Sequence, residues 1–109
     1  MSQLFKTTPN KDFVIDYIQT HLMKEKNYYK ITPEIYKQLL YKDVVQSFLE
    51  EIKKHYHISK QIYVERKITY PRFITIIRHC CKSNEINYVS NIKYRNSYYE
   101  IEYYFYINT

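Results

Sequence analysis

The stretch TYPRFITIIRHCCKSNEINYVSNIKYRNSYYEIEYYFYI, Thr69–Ile107, decides how the chain folds. Its first part places Phe73, Ile74, Ile77, Cys80 and Cys81 on one side of a helix, with Pro71 where that helix begins. After Asn84 the apolar period shortens to two. Ile86, Tyr88, Ser90 and Ile92 alternate with Asn87, Val89, Asn91 and Lys93. Beyond a turn with Arg95 and Asn96 at its tip, Tyr99, Ile101, Tyr103, Phe105 and Ile107 share one face. The spacing predicts a helix followed by an antiparallel hairpin.

Upstream, QIYVERKI (Gln61–Ile68) alternates and is rich in β-formers, which predicts a strand. Thr32, Pro33 and Glu34 form a helix start: a hydroxyl at the cap, proline at the first helical position and an acid next. Ile35, Leu39 and Leu40 make its buried face. The phase shifts near Tyr41–Asp43, where Asp43 is placed to cap a second helix carrying Val44, Val45, Phe48, Leu49, Ile52 and Tyr56. Two helices, or one with a kink, fit this stretch, and Glu50 with Lys54 makes a favourable i,i+4 pair. A first helix is capped by Thr8 or Asn10, has Asp12 in its first turn, buries Phe13, Val14, Tyr17, Ile18 and Leu22, and ends near Lys24 and Lys26. Asn27–Ile31 reads as a short strand or a linker. The elements mix without a βαβ rhythm. The expected class is α+β over a single domain, residues 1–109, with a small three-stranded antiparallel sheet from the residues after Gln61 resting on the helices.

Composition narrows the function classes. With 45% hydrophobic and 26% charged residues the chain reads as globular. It has no glycine, so a Gly-rich phosphate loop is ruled out, and positive-φ positions fall to a strained residue or to Asn27, Asn84, Asn91 and Asn96. A formal charge of +6 favours an acidic partner, most often nucleic acid. Fifteen tyrosines are far above ordinary usage, and AT-rich coding, which also enriches Ile, Lys and Asn, accounts for part of them. The two cysteines are neighbours, unlike the spaced pairs of secreted scaffolds, and an intracellular, reduced protein is expected. The N-terminal MSQLFKTTPNKDF lacks a long apolar core, so no signal peptide is expected. No run approaches a membrane span, and no membrane association is expected.

Three chemistries compete for the Pro71 helix. His55, His57, His79, Cys80 and Cys81 include zinc-ligand types, but HYH and HCC lack the spacing of structural zinc, and adjacent helical cysteines point about 100° apart. No metal and no other cofactor is expected. A catalytic thiolate needs a base and an exposed cationic setting, whereas Cys80 and Cys81 continue the apolar face of Phe73 and Ile77. No acid/base pair stands out either, and the reading is non-enzymatic. The opposite face carries Arg72, Thr75, His79 and Lys82, with Arg78 at its border and no acid. That face suits contact with phosphates of DNA or RNA, joined by Lys93 and Arg95 of the hairpin. A basic face kept for solubility weighs equally with it. The alternative function is a protein-interaction adaptor or structural component. It would use Tyr98, Tyr104 and Tyr106 on the last strand and meet another protein or a second copy of the chain.

A cationic helix followed directly by a cationic hairpin resembles the recognition helix and wing of winged-helix DNA binders. A winged helix places two helices between its first strand and the hairpin, and this sequence predicts one. The glycine-free, Ile/Lys/Tyr/Asn-rich style, with TYPRFITIIRHCCK followed by SYYEIEYYFYI, also resembles small proteins of unassigned activity encoded by nucleocytoplasmic large DNA viruses. That resemblance implies an intracellular setting, the host cytoplasm, a viral factory or a virion, with viral or host partners. It carries over no functional residue.

Overall fold

The computed structural model describes residues 5–59, 61 and 68–107. Asn10 starts helix α1 (Lys11–His21) by accepting the Phe13 N–H at 3.0 Å on its side-chain oxygen, and Asp12 lies in the first turn. The helix stops before the lysines expected to close it. Leu22 is extended, and Lys24 falls in a two-residue strand, β1 (Met23–Lys24). A turn closed by the Glu25 N–H on the Tyr28 carbonyl, 2.8 Å, leads into β2 (Tyr29–Ile31), so the second half of the strand-or-linker segment is a strand. Thr32 accepts the Ile35 N–H at 3.2 Å and opens α2 (Pro33–Tyr41) with proline in its first turn.

A second helix, α3 (Val45–Lys53), follows rather than a kinked continuation. Asp43 does not cap it. It stands at φ 60° as the left-handed residue that closes α2, where its own N–H reaches Leu40 and the Val44 N–H reaches Leu39, both at 3.1 Å. The same closure ends α4 (Tyr70–Ser83). Glu85 stands at φ 58°, its N–H 3.4 Å from the Lys82 carbonyl, and the Ile86 N–H lies 2.8 Å from the Cys81 carbonyl. Among the described residues the positive-φ positions are therefore acidic residues at two helix ends, not the four asparagines. Asn84 instead ties the chain's start to the end of α4, its buried side-chain amide donating to the carbonyls of Cys80 at 3.0 Å and Pro9 at 3.1 Å.

The hairpin forms as predicted, β3 (Asn87–Tyr94) against β4 (Tyr99–Tyr106), in unbroken register from Asn87↔Tyr106 to Tyr94↔Tyr99. The sheet it joins differs from expectation. Its four described strands run β1-β2-β4-β3, all antiparallel, so two of them come from before Gln61. Of the strand expected over Gln61–Ile68, residues 62–67 lie outside the described residues, Gln61 sits in a short 3₁₀ turn, and Ile68 is buried without strand pairing. The last strand is flanked by β2 and β3, so the described sheet edge on this side is β3.

The class is α+β, with helices packed on one sheet face. Ile31 and Phe105 on that face meet the buried side of α4 (Phe73, Ile74, Ile77, Cys80, Cys81) and the apolar sides of the other helices. Leu40, expected inside, is 40% exposed, and Tyr36 is buried in α2 instead, its hydroxyl donating to the Ile68 carbonyl. Lys54 pairs with Glu51 at 3.0 Å, not with Glu50. Among the described residues three helices separate β2 from the hairpin where a winged helix has two, so the likeness is a loose one of helix-then-hairpin order.

Candidate functional site

Helix α4 is buried on more than half its circumference. Phe73, Ile74, Ile76, Ile77, Cys80 and Cys81 face inward, which leaves a narrow outer ridge. Arg72, Thr75 and Lys82 are exposed on that ridge, while Arg78 and His79 are half-buried along its two flanks. The helix itself contains no acidic residue. Its start is pinned by Tyr70, whose hydroxyl donates to the Ile101 carbonyl at 2.6 Å and lies 3.4 Å from that of Ile31. This anchor sets how the ridge lies against the hairpin.

Each predicted residue has a distinct place. The Thr75 hydroxyl donates to the Pro71 carbonyl of its own helix at 2.9 Å, so it borders the ridge as a local hydrogen-bonder. Arg72 is exposed but not without a partner. The Arg78 guanidinium carbon sits 5.7 Å from the Tyr88 ring centre and 5.6 Å from that of Tyr103, with Nε 3.4 Å from the Tyr88 hydroxyl. The bond to Tyr88 favours the protonated guanidinium, and its pKa moves up. Tyrosine holds this cation without cancelling its charge.

His79 sits on the other flank. Its Nδ1 is buried with no hydrogen-bond partner among the described residues. Burial, then the charges of Arg78 and Lys82, hold its pKa below the ordinary histidine value, so the imidazole is neutral at pH 7. Lys93 and Arg95 are exposed on the hairpin, and Arg95 is paired with Glu100. Arg95 Nε lies 2.7 Å from the Glu100 carboxylate, and Lys93 stands directly across from Glu100 in the strand register. The seven residues therefore divide into those on a helix whose own sequence holds no acid and those on a tip where Arg95 carries a counter-charge.

Between α4 and the hairpin runs a cleft of about 400 Å³, lined by Tyr70, Arg78, Tyr99, Glu100, Ile101 and Tyr103 among others. The hairpin extends past the packed core here: Ile92 is 48% exposed, Tyr99 60% and Tyr94 80%. Tyr88, Tyr99 and Tyr103 are the residues the site gains beyond those predicted. Their alternation in sequence marks them as one sheet face. Only the tertiary approach of α4 makes them neighbours of Arg78.

The three tyrosines singled out as an interface do not form one surface. Tyr98 is exposed in the turn, whereas Tyr104 and Tyr106 are half-buried under Tyr28 of the β1–β2 turn, with ring centres 4.6 and 5.8 Å away. Tyr104 also accepts from the Asn91 amide and donates to the Glu102 carboxylate, each at 3.1 Å. Both cysteines are free thiols inside the core, and burial pushes the Cys81 pKa up to about 12. Such thiols pack rather than react. Among the described residues no group of three His, Cys, Asp or Glu side chains is placed to hold a metal ion, and no helix is long and apolar enough to cross a membrane.

Comparison with known protein families, with curated proteins and with solved structures returns no match.

Proposed function

We propose that this domain binds nucleic acid, and single strands in preference to duplex. The observation that carries the reading is Arg78: a charged guanidinium held by neutral tyrosines, in the lining of a cleft it shares with Tyr99, Tyr103 and Glu100, on a helix with no carboxylate of its own. A phosphate backbone following the ridge would meet Lys82, Arg72 and Arg78. Unpaired bases would stack on Tyr99 and Tyr103, and an aromatic face accepts any base. Base pairs in a duplex are closed to such stacking, which is why the cleft favours single strands. Arg95 contributes little while Glu100 holds it, and neutral His79 adds no charge at pH 7.

The test is a titration of labelled single-stranded and duplex oligonucleotides at several salt concentrations. Contact with three or four phosphates gives a log–log salt slope of about −2 to −3 for a single strand. The Arg72/Arg78/Lys82 triple alanine variant should lose most of the binding while keeping a native melt. No binding at low salt, or unchanged binding by a folded triple variant, overturns the proposal.

A further inference from the structure

The outer edge of β3 has no partner strand among the described residues, and Lys93 is the one charge along it. It is eight residues long, contains no proline, and keeps one unbroken register with β4, so no bulge twists it away. Its exposed side chains are substantially apolar: Val89 at 47%, Ile92 at 48% and Tyr94 at 80%.

The direction of its free backbone groups follows from one hydrogen bond. The Arg95 N–H donates to the Tyr98 carbonyl at 2.7 Å, which makes 95/98 a bonded pair closing the hairpin. Bonded and non-bonded pairs alternate in an antiparallel ladder. Lys93, Asn91, Val89 and Asn87 therefore turn their N–H and C=O groups toward β4, while those of Tyr88, Ser90, Ile92 and Tyr94 point away from the sheet.

We infer that β3 pairs antiparallel with β3 of a second copy of this chain, about a twofold axis at Asn91, to make one continuous eight-stranded sheet. This register sets Tyr88 against the partner's Tyr94 and Ser90 against the partner's Ile92. Each N–H and C=O of the four outward residues then has a counterpart. A twofold at Ser90 would instead require Ile86, whose N–H is already given to Cys81 at 2.8 Å. The Asn91 axis also stacks the most exposed tyrosine of the edge on an aromatic partner, a favourable cross-strand pair. Lys93, the one charge in the strand, faces the partner's Val89 and not another lysine.

A single strand pairing buries less area than a standard stable interface, so the dimer depends on concentration. Each chain carries +6, so salt strengthens the dimer by screening repulsion. Nucleic-acid binding has the opposite salt dependence, which keeps the two proposals separable.

The experiment is sedimentation velocity on the full chain from low micromolar to near-millimolar concentration, with two variants. Ser90→Pro removes an outward N–H without touching the β3–β4 ladder, so it should melt as the wild type does and remain monomeric. Asn91→Cys puts two thiols across the axis at a non-bonded pair, about 4.5 Å between Cα atoms and within disulfide reach, so mild oxidation should give a covalent dimer. Lys93→Cys, opposite the partner's Val89, should not cross-link, and native Cys80 and Cys81 are buried and stay silent. A wild type that is monomeric throughout, a dimer that survives Ser90→Pro, or cross-linking as rapid at Lys93→Cys as at Asn91→Cys overturns the inference.

Discussion

Helix α4 and the hairpin tip are both rich in cations, and they keep them in opposite ways. On α4 the positive groups stand on a wall of buried residues, and Arg78 is gripped by phenol rings that leave its charge intact. At the tip, Lys93 and Arg95 stand on an overhanging two-stranded ribbon, where Arg95 is paired with the Glu100 carboxylate and Lys93 lies across the ladder from Glu100. The difference teaches that the number of lysines and arginines in a segment is not the charge it offers a ligand. That charge depends on which neighbours the fold supplies, neutral rings in one case and an acid in the other.

The largest expected effect tests the wall beneath the ridge. Phe73 is fully buried and touches the rings of Tyr36 and Phe48, with centre distances of 5.1 and 6.0 Å. Phe73→Ala should cost about 3–5 kcal/mol, since it removes a large apolar side chain and leaves a cavity. Tyr94 is an aromatic residue of the overhang, 80% exposed. Tyr94→Ala should stay within about 0.5 kcal/mol. Urea midpoints measured at dilute concentration compare the two. Similar losses in both variants would mean that the tip is as much a part of the packed body as α4, and the contrast would fail.

The next effect acts on the tip's counter-charge. Glu100→Gln leaves Arg95 without its anion and removes the negative charge across the ladder from Lys93, so the tip should begin to behave like the ridge. Affinity for single-stranded oligonucleotide should rise, and the salt slope should steepen by about 0.7 for each added phosphate contact. Arg95→Ala in the wild-type background should change affinity far less than Lys82→Ala does. If Arg95→Ala is as damaging as Lys82→Ala, the bond to Glu100 does not withhold that guanidinium, and the tip belongs to the binding surface as it stands.

Much of this geometry was legible before folding. The helix Tyr70–Ser83, its inward Phe73 and Ile77, and the hairpin with its apolar faces follow from periods of 3.6 and 2, because one face of each element must leave water. What periodicity did not reveal was set by partners distant in sequence. Nothing in the alternation of the last strand marks Glu100 as the partner of Arg95 until the turn brings them together. Tyr104 and Tyr106 read as an interface for another chain until Tyr28 arrives from the β1–β2 turn. β2 is three residues long, too short for a period-two signal, yet it decides that β4 is interior and β3 is the edge. Asp43 was legible as a helix-boundary residue, but its left-handed conformation was not, since glycine's absence gives no indication of which residue takes its place.

His79 supplies a smaller, pH-dependent contrast, because the tip has no titrating group near neutrality. Its folded pKa is lowered, first by burial and then by Arg78 and Lys82, from an ordinary value of 6.5. The folded protein thus prefers the neutral ring more than the unfolded chain does. The stability this contributes is present in full above pH 6.5 and is lost as pH falls from there through the folded value. Unfolding free energies across that window should decline on acidification in the wild type and decline less in His79→Gln, where His21, whose pKa burial also lowers, still titrates. Bound phosphate should draw a proton onto the ring, so affinity should rise over the same window and lose that rise in the variant. A stability profile unchanged by His79→Gln would remove His79 from the ridge's electrostatics.

The smallest effect lies at the junction of the two regions. Glu85 closes α4 and launches β3 with φ at 58°, a conformation that costs an L-residue roughly 1–2 kcal/mol and costs glycine little. Glycine also has more freedom to lose on folding, which offsets part of the gain. Glu85→Gly should therefore stabilise the domain by about 0.5–1 kcal/mol, read from the urea midpoint, without altering the helix closure on Cys81 and Lys82. Glu85→Val, whose branched Cβ resists the left-handed region, should lower stability by a comparable amount. Asp43→Gly should gain less than Glu85→Gly, because aspartate tolerates this conformation better than glutamate does. If Gly and Val at position 85 gave equal stability, the backbone there would carry no strain, and the angle between ridge and hairpin would have to be set by packing alone, chiefly by Ile86 against Cys81 and by Tyr70 on the Ile101 carbonyl.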